Sequence, residues 1–450
     1  MFKIGMPTAA KFILRVLEND NYQAYVVGGC VRDSILGKQP KDWDICTSAK
    51  PEEVLTQMAK CGIKTIETGL QHGTVTACAL GENYEITTFR VDGEYSDNRR
   101  PGFVEFVGDV VEDLSRRDFT INAMAYNETA GFVDPWGGCG DLLEGVIRCV
   151  RNPDDRFRED ALRIMRALRF ASTYGFKIEE QTSYSIHKNK SLLRRISAER
   201  IQSELTKLLC GKGVLDILLE YKDVMAVIIP ELEPCIGFNQ NNPYHIYDVY
   251  DHIAHAVANY DGDDISIKMA LLLHDVGKPE CYIEDDYGVG HFYEHSIPSH
   301  RIAADVMTRL RFDSKTTNDV LNLVLHHDAD IQTNFRSVRR WLNKIGVDRL
   351  EKLVWVRIAD INAQSKRNQI PRINQCYMIF ETIEAVLEQE QCFTIKDLAI
   401  GGHCILSLGV EEGPRVGMVL NYLLDQVLDG VLENNHDVLV EEAKRYLKGD

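Results

Sequence analysis

Residues Gly28-Gly29-Cys30-Val31-Arg32-Asp33, followed by Asp42-Trp43-Asp44, join a glycine turn able to cradle phosphate to two carboxylates at strand spacing. Tyr25-Val26-Val27 ahead of them reads as a buried strand, and Val31 to Leu36 as the first turns of a helix. Gly28 and Gly29 thus occupy a strand-to-helix turn. There, backbone N–H groups can approach phosphate oxygens, and Arg32 adds a planar, permanently charged fork. Side chains alternate along a strand, so Asp42 and Asp44 point the same way and can share Mg²⁺ ions about 3.5–4 Å apart. Glu85, in the alternating run Tyr84-Glu85-Ile86-Thr87-Thr88-Phe89-Arg90, is the candidate third acid. Such a set suits metal-assisted phosphoryl chemistry.

A second constellation runs Arg116-Arg117-Asp118-Phe119-Thr120-Ile121-Asn122-Ala123-Met124-Ala125, with Asp134-Pro135-Trp136-Gly137-Gly138 and Glu159-Asp160-Ala161-Leu162-Arg163 further on. On one helix face, three residues apart, Asp160 and Arg163 can meet the edge of a single base. Cytosine and adenine offer an amino donor to Asp160 and an acceptor to Arg163. Uracil and guanine place a carbonyl oxygen where Asp160 needs a donor, and a desolvated group left unpaired rejects the wrong base. Arg163, Arg166 and Arg169 recur at three-residue steps, a stripe able to neutralise a triphosphate or an RNA backbone.

The order and spacing of these motifs resemble the class II tRNA nucleotidyltransferases, the bacterial CCA-adding enzymes and their poly(A) polymerase relatives. The resemblance spans nearly the whole chain, as far as Asp397-Leu398-Ala399-Ile400 and Gly413-Pro414-Arg415-Val416-Gly417. It implies addition of C, C and A to a tRNA 3′ end from CTP and ATP, with Mg²⁺ held by Asp42 and Asp44 beside Glu85. It also implies an incoming nucleotide contacted by Arg117, Asp118, Arg163, Arg166 and Arg169, with Asp118 near the ribose 2′-OH, and a site completed by Gly28, Gly29, Arg32, Asn122 and Asp160. The expected partners are tRNA, CTP and ATP, with no DNA and no membrane.

Two related readings stay open, a poly(A) polymerase and an enzyme adding only CC or only A. Against the first, Glu67-Thr68-Gly69-Leu70-Gln71-His72-Gly73-Thr74-Val75 lacks a basic Gly-Arg-Arg-Phe-type stretch. Against the second, the segment between Arg90 and Arg116 is long, whereas relatives lacking A addition resemble this chain with that loop shortened. Gly93, Pro101, Gly102 and the charged run Asp97 to Arg100 suit a movable lid. Deleting part of Tyr95 to Phe106 is therefore expected to stop addition after CC, as counted on labelled tRNA. Completion of CCA at the normal rate would remove the lid assignment.

A third reading belongs to another class. Leu271-Leu272-Leu273-His274-Asp275-Val276-Gly277-Lys278-Pro279 is an apolar helix ending in a His-Asp doublet, with His252 upstream and His295, His326, His327 and Asp360 downstream. This pattern resembles the HD superfamily of metal-dependent phosphohydrolases, which implies that these residues converge on one or two divalent metals. Imidazole and carboxylate suit Mn²⁺, Ni²⁺, Co²⁺ or Fe²⁺. The main activity on this reading lies at His274 and Asp275.

The net charge of −17 argues against a protein coated in basic surface. Residues 144 to 212 nevertheless carry fifteen Lys/Arg against nine Asp/Glu, a net of +6. RNA would be drawn there, and to Arg336, Arg339, Arg340 and Lys344. Twelve cysteines lack Cys-x-x-Cys pairs, and Cys30, Cys46, Cys61 and Cys78 sit in apolar contexts, so reduced core residues are expected. No run approaches the roughly 20 apolar residues of a membrane span. Met1 to Asp20 reads as an amphipathic helix without a secretory cleavage pattern, so the expected location is the cytoplasm.

The pattern changes along the chain. Residues 1–148 mix strands and helices and predict an α+β head, with a nucleotidyltransferase-type β-sheet packed by helices. From 149 nearly every long segment has helical period, apart from a strand run at Gly288 to Tyr293. An all-α neck (149–215, base selection and RNA), body (216–370, the HD-type site) and tail (371–450, tRNA binding) are expected. Gly211 to Gly213 and Pro230 to Gly237 read as joints.

Overall fold

The computed structural model describes residues 3–70, 73–93, 104–388 and 394–449. The lid segment from Tyr95 lies outside the described residues as far as 103. The chain divides into two compact units, 1–230 and 231–450. That division falls within the Pro230 to Gly237 joint and puts 216–230 with the neck.

The first unit starts with helix α1 (Thr8–Asn19), strand β1 (Ala24–Val27), α2 (Gly29–Ile35), β2 (Ile45–Thr47) and α3 (Pro51–Lys60). It continues through β3 (Lys64–Gly69), β4 (Thr74–Ala79), β5 (Glu82–Thr88), β6 (Arg90–Asp92), β7 (Val104–Phe106) and α4 (Val110–Ser115). Strands β8 (Ala125–Asn127) and β9 (Gly131–Val133) and helix α5 (Gly138–Glu144) complete the head. Seven strands form one mixed sheet in the order β3-β4-β5-β2-β1-β8-β9, in which only β2 and β5 run parallel. Strand β1 is buried at every position because both its faces are covered. Tyr25 and Val27 pack with Phe89, Leu114 and Val150 on one face. The pleat turns Ala24 and Val26 to the other, where α1 and α3 lie. Strands β6 and β7 pair antiparallel, Arg90 with Phe106.

The neck runs β10 (Val146–Ile147), α6 (Pro153–Glu159), α7 (Leu162–Tyr174), β11 (Lys177–Ile178), α8 (Glu180–Asn189), α9 (Ala198–Leu209), α10 (Val214–Glu220) and α11 (Lys222–Ile228). Strand β11 was not legible in the sequence: two residues pairing parallel with β10 show no periodicity of their own. Helix α7 packs along α9, burying Ile164, Leu168 and Ala171 against Leu205 and Leu208.

The second unit contains α12 (Val249–Ala258), α13 (Ile265–Leu273), β12 (Ile283–Glu284), β13 (Gly290–His291), α14 (Ser296–Arg309), α15 (Ser314–His326), α16 (Phe335–Ile345) and α17 (Val347–Asn362). It ends in α18 (Gln369–Glu388), α19 (Gly402–Ser407), α20 (Pro414–Leu428) and α21 (His436–Lys448). Helix α13 is buried from Ser266 to Leu273 because α12, α15 and α17 surround it, as its all-round apolar character requires. The expected strand at Gly288 to Tyr293 is the short β13, paired with β12. Helices α19 to α21 share a small core of Ile405, Leu423 and Leu439. No described helix is long and apolar enough to cross a membrane. Described cysteines are free thiols, with Cys30 and Cys46 buried, while Cys61, just past α3, is exposed rather than a core residue.

Candidate active site and body metal centre

Gly28 has φ +77°, in the left-handed region where glycine carries no Cβ penalty. A Cβ there would also sit 2.8 Å from Arg117 Nη1. The bare turn is what lets a guanidinium lie against the strand end. Gly28 N–H donates to the Met124 carbonyl at 3.0 Å, tying the turn to the segment after Asn122. Arg32, buried on α2, donates to Asn122 Oδ1 at 2.5 Å and to Asp33 at 2.9 Å, its guanidinium 5.3 and 5.2 Å from the Phe170 and Tyr174 ring centres.

Asp42 and Asp44 sit in the extended segment just before β2. Buried Trp43 between them turns both carboxylates to the exposed side. Asp44 is fixed through its carbonyl, which accepts from Val27 N–H at 3.0 Å. Ile45 pairs with Ile86, so Glu85 is the register neighbour of Asp44. Desolvation raises the pKa of Asp44. Arg117 opposes this, while Glu85 and Asp42 add to it. All three are hard oxygen donors of the kind that suits a divalent cation, although of the three only Asp44 lines the nucleotide cleft.

All ten residues expected to bind nucleotide, together with Asp44, line one cleft of about 440 Å³. Two further lining residues, Arg116 and Phe170, carried no signal of their own in the sequence. The Phe170 ring lies 3.7 Å from the Arg169 guanidinium and 5.3 Å from that of Arg166. Burial disfavours charge on Asp118, but Arg166 and Asn122 outweigh it and hold the carboxyl well below the usual range. Its Oδ1 accepts from Phe119 N–H at 2.8 Å and Asn122 at 3.1 Å, and its Oδ2 from Arg166 at 2.8 and 2.6 Å. With both oxygens occupied, a ribose 2′-OH reaching Asp118 would have to displace one of these donors.

Asp160 and Arg163 share the cleft but not a helix face, which corrects the expectation of one continuous helix. The helix breaks at Asp160 (φ −135°, ψ 102°), between α6 and α7. The Asp160 carboxylate competes with the helical backbone by accepting at 3.1 Å from the N–H of Leu162, the first residue of α7, and Asp160 itself ends α6. The two side chains do not pair with each other. Arg163 bonds Glu159 at 2.6 Å, the Arg116 carbonyl at 3.0 Å and the Arg156 carbonyl at 3.2 Å, while Asp160 takes Arg200 at 2.9 Å. Arg163, Arg166 and Arg169 do lie on one helix, α7.

In the second unit, His252 on α12, His274 and Asp275 at the end of α13, His295 at the start of α14, His327 at the end of α15 and Asp360 on α17 converge. His252 Nε2 lies 2.9 Å from Asp360 and 3.2 Å from Asp275 Oδ2, and His274 Nε2 lies 3.3 Å from the same Oδ2. On the other side of Asp275, His295 and His327 Nε2 lie 3.1 and 3.6 Å from Oδ1. Two potential ligand sets therefore share Asp275, each with its atoms within 4.8 Å of one another. All four imidazoles are held through Nδ1 by main-chain carbonyls, of Ala363, Leu271, Phe292 and Val324. Those bonds place a proton on each Nδ1 and turn the Nε2 atoms inward, 3.3 Å apart for His252 and His274. Metal-ligating histidines are oriented in this way, so the residues fit a transition metal. Burial opposes charge on His274, yet Asp275 and Asp360 lift its pKa to about 10.

His326 is corrected out of this set. It stacks edge-to-face on Trp341, and burial with Lys344 and His300 lowers its pKa to about 4. Neighbouring helical residues differ by about 100° around the axis, so only His327 turns inward. Several residues not assigned from the sequence line the same pocket of about 300 Å³, Lys278 and His245 among them. Lys278 bonds Asp275 at 2.6 Å. His245 stands edge-to-face on His252, its pKa pushed down to about 3 by burial, Lys278 and His252. Lys278 could have been flagged, lying in the His-Asp motif three residues after Asp275. The basic residues of α16 are largely spoken for within the unit: Arg336 and Arg340 each clamp Asp429 past the end of α20, and Arg339 bonds the Val427 carbonyl.

Family models match three parts of the chain: a poly A polymerase head domain at 24–148, a probable RNA and SrmB-binding site of polymerase A at 175–236, and an HD domain at 244–370. The CCA-adding enzyme of Lactobacillus delbrueckii subsp. bulgaricus is 33% identical over 437 residues, 96% of each chain. That of Ligilactobacillus salivarius is 33% identical over 453 residues, 99% of this chain and 97% of its own. Among solved structures, the Bacillus stearothermophilus CCA-adding enzyme in complex with CTP matches with a TM-score of 0.70 and 26% identity over 99% of both chains. A Thermotoga maritima CCA-adding enzyme complexed with tRNA, at 21% identity and a TM-score of 0.61 over 97% of this chain and 94% of that one, shares the fold.

Proposed function

Because this chain belongs to the CCA-adding enzymes, a nucleotidyltransferase family, we propose that it adds C, C and A to the tRNA 3′ end from CTP and ATP, releasing pyrophosphate. The observation that carries the reading is the single cleft that gathers the Gly28 turn, Asp44, six arginines and Asp160. Its arginines outnumber its acids, as a triphosphate requires. Arg32, Arg117, Arg166 and Arg169 hold the phosphates, with the bare Gly28 backbone allowing close approach. Asp42 and Asp44, with Glu85, would hold Mg²⁺. Bound there, Mg²⁺ would favour deprotonation of the primer hydroxyl and neutralise the leaving pyrophosphate. The primer 3′-oxygen attacks the α-phosphorus in line, and no covalent enzyme intermediate is needed. The tRNA substrate places this work in the cytoplasm.

Base choice rests on Asp160 accepting an amino hydrogen while Arg163 donates to the neighbouring ring acceptor. Asp160→Ala or Arg163→Ala is expected to narrow the preference for CTP and ATP over UTP and GTP by about 1–3 kcal/mol, roughly fivefold to 150-fold, with a smaller effect on triphosphate affinity. An unchanged preference in kcat/KM across the four nucleotides would reduce the two residues to structural bonds. The function itself is tested by incubating the protein with tRNA lacking its CCA end and each labelled NTP, singly and together. Two C and one A should be added from CTP plus ATP. Long A tracts from ATP alone would indicate a poly(A) polymerase, and arrest after CC a partial enzyme.

A second reading is favoured by the four Nε2 atoms that converge around Asp275: a metal-dependent phosphohydrolase activity in the body. Mn²⁺, Ni²⁺ or Co²⁺ suits the mixed imidazole and carboxylate donors, and a metal held there would activate water toward a phosphate ester.

A further inference from the structure

Helix α9 contributes no residue to the lining of the nucleotide cleft. It nevertheless reaches two of the lining residues from behind. Arg200 Nη2 donates to Asp160 Oδ2 at 2.9 Å, and Glu204 Oε2 accepts from Arg169 Nε at 2.9 Å. Residues at i and i+4 lie one above the other on a helix face, so one stripe of α9 grips an acid and a base of the cleft.

The grip on Asp160 matters because of where that residue sits. At the break between α6 and α7 its side chain is not held by helix packing. Its orientation comes from two donors instead, Leu162 N–H on Oδ1 and Arg200 on Oδ2. One donor on each oxygen fixes the carboxylate plane and leaves a lone pair on each for an incoming amino group. Without Arg200 the carboxylate could rotate, and an acceptor of undefined direction discriminates poorly between an amino group and a carbonyl. The cost of placing Arg200 there is visible: its Nη1 is buried with no hydrogen-bond partner among the described residues. An apolar side chain of similar length would fasten α9 to α7 without that penalty. Glu204, buried at 6% exposure, holds the Arg169 guanidinium in the same way, Nε to Oε2 at 2.9 Å.

We propose that Arg200 is a positioning residue for base selection, acting through Asp160, and that Glu204 is a positioning residue for the triphosphate, acting through Arg169. This rests on the reading above in which Asp160 meets the base and Arg169 the phosphates. One helix behind the site thereby sets two functions separately.

The test compares the full-length protein with Arg200→Met, Arg200→Lys and Glu204→Gln, measuring kcat and KM for each of the four NTPs on tRNA lacking its CCA end, alongside thermal melting. In Arg200→Met the preference for CTP and ATP over UTP and GTP should shrink by about tenfold, the scale of one lost base-reading contact. Arg200→Lys, which keeps a donor, should restore part of it. Glu204→Gln should raise KM for all four nucleotides by a common factor and leave their ratios alone. Equal losses for every nucleotide in Arg200→Met, with a lowered melting temperature, would overturn the inference, as would failure of Lys to restore selectivity. If the unmodified protein selects CTP and ATP but neither Arg200 variant shifts the ratio, only the positioning role falls. If the unmodified protein adds neither C nor A, the reading beneath it falls as well.

Discussion

Asp42→Ala or Asp44→Ala is expected to lower nucleotide addition at least about a thousandfold, roughly 4 kcal/mol of transition-state stabilisation, while tRNA affinity stays nearly unchanged. Both residues are exposed before β2 and do not belong to the buried core, so their loss opens no cavity and, on the proposed reading, removes only the cation's ligands. Repulsion from Glu85 and Asp42 works against charge on Asp44, so removing one acid relieves strain in the absence of metal. The variants should therefore melt no lower than the unmodified protein. Single-turnover addition on tRNA lacking CCA, with tRNA binding measured in parallel, separates the chemical step from recognition. Equal loss of affinity and activity would move these residues from the chemistry to RNA contact. Glu85→Gln, at the register neighbour of Asp44, should show a smaller loss on the same assays if it orients rather than ligates.

The second large effect is expected in the body. Replacing His274 and Asp275 together with Ala should abolish bound transition metal and any phosphatase or 2′,3′-cyclic phosphodiesterase activity, while CCA addition persists. The two sites lie in different compact units, which is why the head activity should survive. Asp275 is the residue common to both ligand sets and also the partner of buried Lys278. Its removal would leave that ammonium bonded to Gln240 Oε1 at 2.9 Å but without a counter-charge, a change that typically costs about 3–5 kcal/mol. Asp275→Asn together with His274→Ala is the milder comparison, since the amide oxygen can still accept from Lys278. Metal analysis is decisive. After loading with Mn²⁺ or Ni²⁺, less than about a tenth of an equivalent on the unmodified protein would leave the cluster a structural feature, because a preorganised set of imidazoles around a shared carboxylate should bind far more.

Much of the head was legible because its chemistry is local. A glycine turn between an apolar strand and a helix, acids two residues apart, and arginines three apart on a helix are patterns that backbone geometry converts directly into positions. Glu85 was reachable by the same logic, since alternation with Tyr84 and Ile86 sends it outward. The neck helix was misread at one point. Composition over 153–174 is helical throughout, and the extended backbone of Asp160 with the bond from Leu162 N–H to its carboxylate shows that two helices meet there. Short-range competition between a side-chain oxygen and the backbone is hard to see against a strong periodic background.

The body shows the same division. The His-Asp doublet at the end of an apolar helix was readable, and so was the need for other helices to bring further ligands. Which of His326 and His327 turns inward depends on the packing of α15 against α13, not on either residue. The charge of Arg336, Arg339 and Arg340 read as a surface for RNA, but Asp429 and the Val427 carbonyl, 88 to 93 residues away in sequence, take up their donors.

By itself, then, the sequence determined the family, the α+β head with its helical continuation, and the residue types able to hold a nucleotide and a metal, because all of these are written in spacing along one element. Tertiary structure alone decided the partners: Arg200 behind Asp160, Glu159 beside Arg163, Arg166 on Asp118, Asp275 between four histidines. Hydrophobic periodicity reports which face of an element is buried. It carries no record of the element lying opposite, and the orientation of a charged side chain is set by what it meets there.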